Sequence, residues 1–251
     1  MIAALTLLFS YVLLAIPAAL FGLPYAMVRR DVSGLYRWAM WILRTSSRLA
    51  GLTVVVSGRD LVPCDRACIF MTNHLSNLDG PLLLPELPER TAVFLKRSLM
   101  KIPALGVGMR LANFIPVDRD GRPENAQRSV QFAARVLASG VNVLTFVEGT
   151  RSPTGRLQPF KKGPFYLAME SGAPVVPVAI WGTESMMKKG SLRIAPGIAH
   201  IAFHEPLDPA KFASREDLMN AVRASMETSL PAWMHTPTHP DKSASEEAVP
   251  T

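Results

Sequence analysis

The chain has 251 residues, enough for one sizeable domain and an appendage. It is apolar for a soluble protein, with 49% hydrophobic and 19% charged residues, and its net charge of +7 favours an anionic partner. No basic stretch with interleaved aromatic residues matches a nucleic-acid-binding motif, so a membrane surface or a phosphorylated substrate is the expected partner, and nucleic acid is not.

Residues 1–28 contain no charged side chain. As one straight helix they would reach about 42 Å at ~1.5 Å per residue, and a hydrocarbon core is roughly 30 Å thick. Pro17 and Pro24 are expected to kink this helix or to break it. The alternative, a cleaved signal peptide, is weakened by the missing basic start and cleavage site. Arg29 and Arg30 follow at once, which predicts a membrane anchor with the remaining chain on the cytoplasmic side, in a bacterium at the inner membrane.

A second helix is predicted over residues 33–49, with basic and apolar side chains on separate faces. The basic face carries Arg37, Arg44 and Arg48. The apolar face carries Leu35, Trp38 and Ile42. With Trp41 near the border, this pattern is typical of a helix that lies in the membrane interface. The alternative is a helix packed on its own domain.

From residue 50 short apolar runs alternate with helical stretches. Strands are predicted at 53–57, 67–71, 91–95, 114–117, 141–146, 175–180 and 198–203, and helices at 81–87, 103–111, 123–139, 163–171 and 215–230. This alternation predicts an α/β domain with a mixed, largely parallel sheet flanked by helices. We therefore expect an anchor over 1–49, the α/β domain over 50–231, and a disordered tail over 232–251, where polar residues and prolines dominate.

His74 is the first candidate catalytic residue, because it stands at the corner between a predicted strand and a predicted helix. Asp79 follows five residues later. In a regular helix the two side chains would point about 140° apart, but a tight turn can bring the carboxylate to the imidazole. The carboxylate would then fix the tautomer, and the other ring nitrogen could take a proton from a hydroxyl. The alternative is that Asp79 only caps the helix.

Several further polar residues follow predicted strands, whose carboxyl ends gather sites in α/β sheets. Arg151 suits a phosphate through its planar fork, and Gly149 lets backbone amides approach an anion. A structural pair between Glu148 and Arg151 is the alternative.

The sequence contains two cysteines, Cys64 and Cys68, and no matching second pair, so no zinc site is expected. No cofactor is expected either.

Four blocks, taken together, resemble those of the glycerolipid acyltransferases with the H-x4-D motif, most closely the 1-acyl-glycerol-3-phosphate acyltransferases. The blocks, within residues 50–205, are His74 to Asp79, 115–119, 146–152 and 175–178. The resemblance implies His74 and Asp79 as catalytic residues. It implies substrate binding by Lys96, Arg119, Glu148, Gly149, Thr150 and Arg151. Ser98 stands where the family commonly has Glu.

The resemblance also implies a reaction: acyl transfer from acyl-CoA or acyl carrier protein to lysophosphatidic acid, giving phosphatidic acid in phospholipid biosynthesis. Membrane lipids would be further partners. The sequence contains no G-x-S-x-G motif, so a covalent acyl-enzyme is not expected. Two alternatives stay open, namely the same chemistry on a lyso-ornithine lipid or lysophospholipid, and a lipid-binding membrane protein without catalysis.

Overall fold

The architecture comes from a computed structural model, which describes residues 2–63, 65–88, 90–118 and 122–236. A seven-stranded sheet forms the centre of these ranges. Its strands are β1 (Leu52–Ser57), β2 (Ile69–Thr72), β3 (Thr91–Lys96), β4 (Ile115–Val117), β5 (Asn142–Phe146), β6 (Val175–Trp181) and β7 (Gly197–Phe203). Each predicted strand is found, with ends that differ by one or two residues.

The sheet is mixed and largely parallel, as predicted. Its strand order is β1-β7-β6-β2-β5-β3-β4, and only the β6–β7 pair is antiparallel. The central strand β2 is buried along its whole length, and so is β6 except for Trp181. Their continuous apolar runs fit strands covered on both faces. Parallel neighbours β2, β5 and β3 end at one edge of the sheet, where the candidate site lies.

Helices cover the sheet and precede it. They are α1 (Ile2–Pro17), α2 (Leu23–Arg29), α3 (Ser33–Leu49), α4 (Asp79–Leu83), α5 (Leu105–Leu111), α6 (Pro123–Ala138), α7 (Lys162–Ser171), α8 (Thr183–Met186) and α9 (Arg215–Glu227). All six helices predicted after residue 30 are present, and α8 was not predicted. α6 buries Ala133, Val136 and Leu137 and ends before Gly140, whose φ of 78° suits glycine.

The N-terminal helix is continuous over Ile2–Arg29, so of the two outcomes predicted at the prolines, a kink or a break, the break does not occur. A π-helical stretch, Ala18–Gly22, lies between Pro17 and Pro24, and the Leu23 amide that follows it donates to the Ala18 carbonyl. Most large apolar side chains of this helix are exposed. With a mean hydropathy of 2.2 it is long and apolar enough to cross a membrane, which is consistent with membrane association.

Helix α3 is strongly amphipathic but packs partly on its own domain. The Tyr36 hydroxyl donates to the Thr91 carbonyl, and Ile42 is buried. Arg44 pairs with Glu86 and donates to the Pro85 carbonyl at 2.5 Å. Arg37 and Arg48 are exposed, whereas Arg44, predicted to share their role, binds the domain.

The predicted tail begins too early. Residues up to 236 are described, and Ala232–Met234 forms a short 3-10 turn. Met234 is buried in the core, and its carbonyl accepts from the Leu157 amide at 2.8 Å. A buried apolar side chain and a backbone hydrogen bond therefore attach this segment to the domain. Residues 237–251 lie outside the described ranges.

Asn73 extends the sheet beyond the end of β2. Its side-chain amide donates to the Ile180 carbonyl and its oxygen accepts from the Ile180 amide, both at 2.8 Å. We expect Asn73→Ala to lower the free energy of unfolding by about 2–3 kcal/mol, because both backbone groups of Ile180 would be left buried and unpaired. Denaturant unfolding in detergent would measure this. Asn220→Ala, on the exposed side of α9, is the control and should change it by less than about 0.5 kcal/mol.

Candidate active site

The candidate site begins where β2 ends. Residues 73–78 form the corner between β2 and α4, and His74 lies on it. β5 and β3 run parallel to β2 and end on the same side, with Glu148 just after β5 and Lys96 at the last position of β3. The sheet thus brings the strand-end residues to one edge, as the sequence pattern predicted.

A hydrogen bond of 2.7 Å joins Nδ1 of His74 to Oδ2 of Asp79. A carboxylate can only accept, so Nδ1 carries the proton in this pair. The same oxygen accepts from the backbone amides of Leu75 and Ser76 at 2.7 and 2.8 Å. Asp79 therefore holds the corner in a tight turn by binding three of its residues. It binds residues that precede α4, which excludes the alternative of a simple helix cap.

Thr183 completes the surroundings of Asp79. Its hydroxyl donates to Oδ1 of Asp79, and both side chains are fully buried. Thr183 opens α8, directly after Gly182, whose φ of 90° ends β6 in a sharp turn. We did not identify Thr183 from the sequence. The glycine after a predicted strand marked the turn, but only the fold reveals that the turn faces Asp79.

The imidazole of His74 is held from its face as well. It stacks on the Phe146 ring at a centroid distance of 4.1 Å and an interplanar angle of 29°. The side chain is 15% exposed. Among the described residues Nε2 has no hydrogen-bond partner, so a fixed, proton-accepting nitrogen is left at an accessible position. This is the geometry that a general base requires.

Glu148 lies beneath the corner rather than on its surface. The side chain is buried, and Oε1 accepts from the His74 amide at 3.1 Å. Burial raises the pKa of Glu148 to about 8, although amides of His74 and Gln158 oppose the shift. Oε2 is buried without a partner among the described residues. Glu148 is therefore a buried acid in direct contact with the backbone of His74.

Arg151 is brought to the corner by its neighbour in the chain. The Ser152 amide donates to the His74 carbonyl at 2.7 Å. Lys189 adds a second cation, since its Nζ donates to the Arg151 carbonyl at 3.0 Å. Gly149 has a φ of 70° and lies against the Lys161 side chain, where an added Cβ would come within 3.1 Å of Cγ.

The remaining predicted binding residues lie at the same edge or outside the described structure. Thr150 is exposed on the loop after β5, and Lys96 is exposed at the end of β3. Arg119 falls outside the described residues. Lys161 and Lys189 are cations that the motif comparison did not assign to the site, and only the folded loops place them beside Gly149 and Arg151.

Comparison with known proteins places this geometry in a family. The sequence model of the family described as Acyltransferase matches residues 53–181, slightly more than half of the chain. The chain is 33% identical over 190 residues to a 1-acyl-sn-glycerol-3-phosphate acyltransferase of Cocos nucifera, covering 73% of this chain and 58% of that one. It is 29% identical over 214 residues to the human 1-acyl-sn-glycerol-3-phosphate acyltransferase alpha, covering 84% and 75%. The chain thus spans little more than half of the plant relative's length.

A solved structure is similar over nearly the whole chain. The crystal structure of the 1-acyl-sn-glycerophosphate (LPA) acyltransferase PlsC of Thermotoga maritima superposes with a TM-score of 0.74 at 30% identity. The match covers 90% of this chain and 95% of that one. At this coverage the match extends beyond residues 53–181, which the family model recognises. On the family match, the sequence identity and the shared fold together, the chain belongs to the acyltransferase family.

Proposed function

We propose that the chain transfers an acyl group to the free hydroxyl of 1-acyl-glycerol-3-phosphate, giving phosphatidic acid. The observation that carries this proposal is the bond between His74 and the buried Asp79, which leaves Nε2 as a base at the sheet edge. The names of the relatives and of the solved neighbour support the acceptor. The donor would be an acyl thioester of coenzyme A or of acyl carrier protein.

In the proposed mechanism Nε2 of His74 takes the proton from the acceptor hydroxyl. The oxygen attacks the thioester carbonyl, the carbon–sulfur bond breaks, and the imidazolium returns the proton to the leaving thiolate. Asp79 stabilises the imidazolium, and the Thr183 hydroxyl holds Asp79 in place. Phe146 keeps the ring at its angle through stacking. Much of the rate would come from this fixed geometry.

For Glu148 we propose a positioning role. Its burial and its bond to the His74 amide favour support of the corner over the predicted contact with substrate. Arg151 with Lys96, Gly149 and Thr150 remains our proposed phosphate site, since these residues follow β3 and β5 at the edge that bears His74. A phosphate fixed there would hold the neighbouring glycerol hydroxyl near the imidazole.

We further propose that residues 1–49 attach the domain to a membrane, with residues from 50 on its cytoplasmic side, in a bacterium at the inner membrane. The exposed apolar helix supports the attachment, and Arg29 and Arg30 support the orientation. Leu7 of α1 packs in one cluster with Leu78 and Leu82, immediately after the His74 corner. The corner would therefore lie near the lipid from which the acceptor comes.

An acyl-transfer assay with a panel of acceptors tests the function. We expect turnover of lysophosphatidic acid with acyl-CoA or acyl carrier protein as donor, and a loss of roughly 10²–10⁴-fold in kcat for His74→Ala, because the base is removed. Circular dichroism should show an intact fold. Turnover of lyso-ornithine lipid or lysophosphatidylcholine in place of lysophosphatidic acid would move the function to that acceptor. A His74→Ala variant whose kcat falls only a few-fold would falsify the role of His74 as the general base.

Substitution of Arg151 tests how the acceptor is held. Arg151→Lys keeps the charge but loses the fork, and Arg151→Ala loses both. We expect both variants to raise the KM of lysophosphatidic acid, Ala by about tenfold or more, with little change in the donor KM. Kinetics in which each substrate is varied separately would measure this. Lys211→Ala, on an exposed turn, is the control. A rise in the donor KM alone would assign Arg151 to the donor instead.

The raised pKa of Glu148 predicts a pH dependence of stability. Between about pH 4.5 and about pH 8 the folded chain holds a proton on this group that the unfolded chain has released. The free energy of unfolding should therefore fall as pH rises through this window. Glu148→Gln keeps the acceptor for the His74 amide and should flatten the slope, whereas Glu170→Gln on α7 should not. Denaturant unfolding across this range would measure it, and an unchanged slope would contradict the burial of an ionisable Glu148.

A further inference from the structure

An exposed apolar turn lies between β3 and α5. Leu99, Ile102 and Leu105 are 42%, 44% and 50% exposed, within seven residues of chain. Lys101, Pro103 and Ala104 between them are exposed too. Single exposed aliphatic side chains are common on protein surfaces, but three on one projecting turn indicate a surface that something covers. We call residues 96–105 the β3–α5 knuckle.

The charge around the knuckle has one sign. From Thr91 to Val117 the sequence contains four cations and no Asp or Glu. The cations are Lys96, Arg97, Lys101 and Arg110. Asp118 compensates Arg97 through bonds of 2.7 and 2.9 Å from Nε, and Arg110 donates to the Met100 carbonyl. Lys96 and Lys101 are exposed to solvent, close in the chain to the exposed aliphatic side chains.

The knuckle is shaped by a tight backbone rather than by a loose loop. Ala104 has φ 58° and ψ −55°, and the Leu105 amide donates to the Pro103 carbonyl at 2.6 Å. This is a γ-turn with positive φ, which is rare and strained for a residue with a side chain. Gly106 allows it, because a Cβ there would lie 2.0 Å from the Met100 carbonyl oxygen. The fold thus holds Ile102 and Leu105 outward at a conformational cost.

The knuckle and the N-terminal helix lie on either side of the His74 corner. β3, which the knuckle follows, is separated from β2 by β5 alone, and the three strands end at one edge. On the other side, Leu7 of α1 packs with Leu78, Leu82, Met186 and Met187. Both exposed apolar surfaces therefore lie near the His74 corner, one on each side.

We infer that the β3–α5 knuckle is a second membrane contact, in which Leu99, Ile102 and Leu105 enter the interface of an anionic bilayer while Lys101 meets lipid headgroups. This combination of aliphatic and cationic side chains suits an interface better than either the hydrocarbon core or water. The inference extends the proposed function, because two contacts flanking the corner would hold His74 at headgroup depth. A lyso-lipid could then present its phosphate without leaving the bilayer.

A fluorescent probe on the full chain tests the contact without measuring turnover. In a Cys64→Ser background, where Cys68 is buried, Ile102→Cys is labelled with the environment-sensitive dye NBD. Asn220→Cys on α9 is the control site. With vesicles of phosphatidylcholine and phosphatidylglycerol we expect a blue shift and a gain in intensity at position 102, quenching by spin-labelled lipid, and no change at position 220. A water-like spectrum at position 102 in chains that float with the vesicles would overturn the contact. A spectral shift at position 102 that acyl carrier protein produces and vesicles do not would also overturn the membrane contact.

A variant pair separates this contact from the chemistry. Ile102→Ser with Leu105→Ser should weaken vesicle binding by about tenfold and reduce transfer to vesicle-borne lysophosphatidic acid. It should leave transfer to a water-soluble, short-chain acceptor unchanged. The matched control is Val55→Ser with Tyr166→Ser, of similar exposure, on β1 and α7. Equal vesicle affinity for both double variants would reject the contact. Failure of the unsubstituted chain to acylate either acceptor would reject the proposed function alone, because the fluorescence result does not depend on turnover.

Discussion

The carboxylate of Asp79 is the group on which the His74 corner depends. A fully buried charge is costly unless polar groups surround it, and here the donors are the His74 ring, two amides of the corner and the Thr183 hydroxyl. Three of them come from the five residues before Asp79. The fourth arrives from a helix that follows β6, far along the chain. The orientation of the imidazole is therefore coupled to the packing of β6 and α8 on β2.

The same principle holds the rest of the sheet edge together. Buried polar side chains bind backbone groups where regular strand pairing stops, as Asn73 does at Ile180 and Glu148 at His74. The Ser76 hydroxyl likewise donates to the Met187 carbonyl at 2.8 Å, which ties the corner to the end of α8. Each bond satisfies a group that would otherwise be buried and unpaired. The result is a rigid loop that projects one imidazole nitrogen from a rigid sheet.

The N-terminal region adds a second constraint. Its helix exposes apolar side chains along most of its length, yet Leu7 enters a cluster beside the corner, and Gly22 lies under Leu35 and Trp38 of α3. Arg44 of α3 pairs with Glu86 next to α4. The apolar helix is thus docked on the domain by a few specific contacts. An exposed apolar surface is therefore held next to the corner that carries His74.

The sequence by itself determined the elements and their class. Every predicted strand, and all six helices predicted after residue 30, are present, because apolar runs and amphipathic stripes are local patterns that burial on one or both faces enforces. The spacing of His74 and Asp79 at a strand-to-helix corner allowed their contact in a tight turn, and the resemblance to a known family favoured that contact over a simple helix cap. Of the kink or break expected at Pro17 and Pro24, the break did not occur, and a π-helical stretch lies between the two prolines in a continuous helix.

Only the tertiary structure decided which distant residues meet this corner. Thr183 and Lys189 are more than a hundred residues from Asp79 and carry no local signal of their partners. Glu148 sits in a motif that predicts a substrate contact, but the packing of β5 against β2 buries it under the His74 backbone. The pairing of Arg44 with Glu86 likewise depends on the packing of α3 beside α4. Long-range contacts depend on strand order and loop path, and a single sequence records neither in any local pattern.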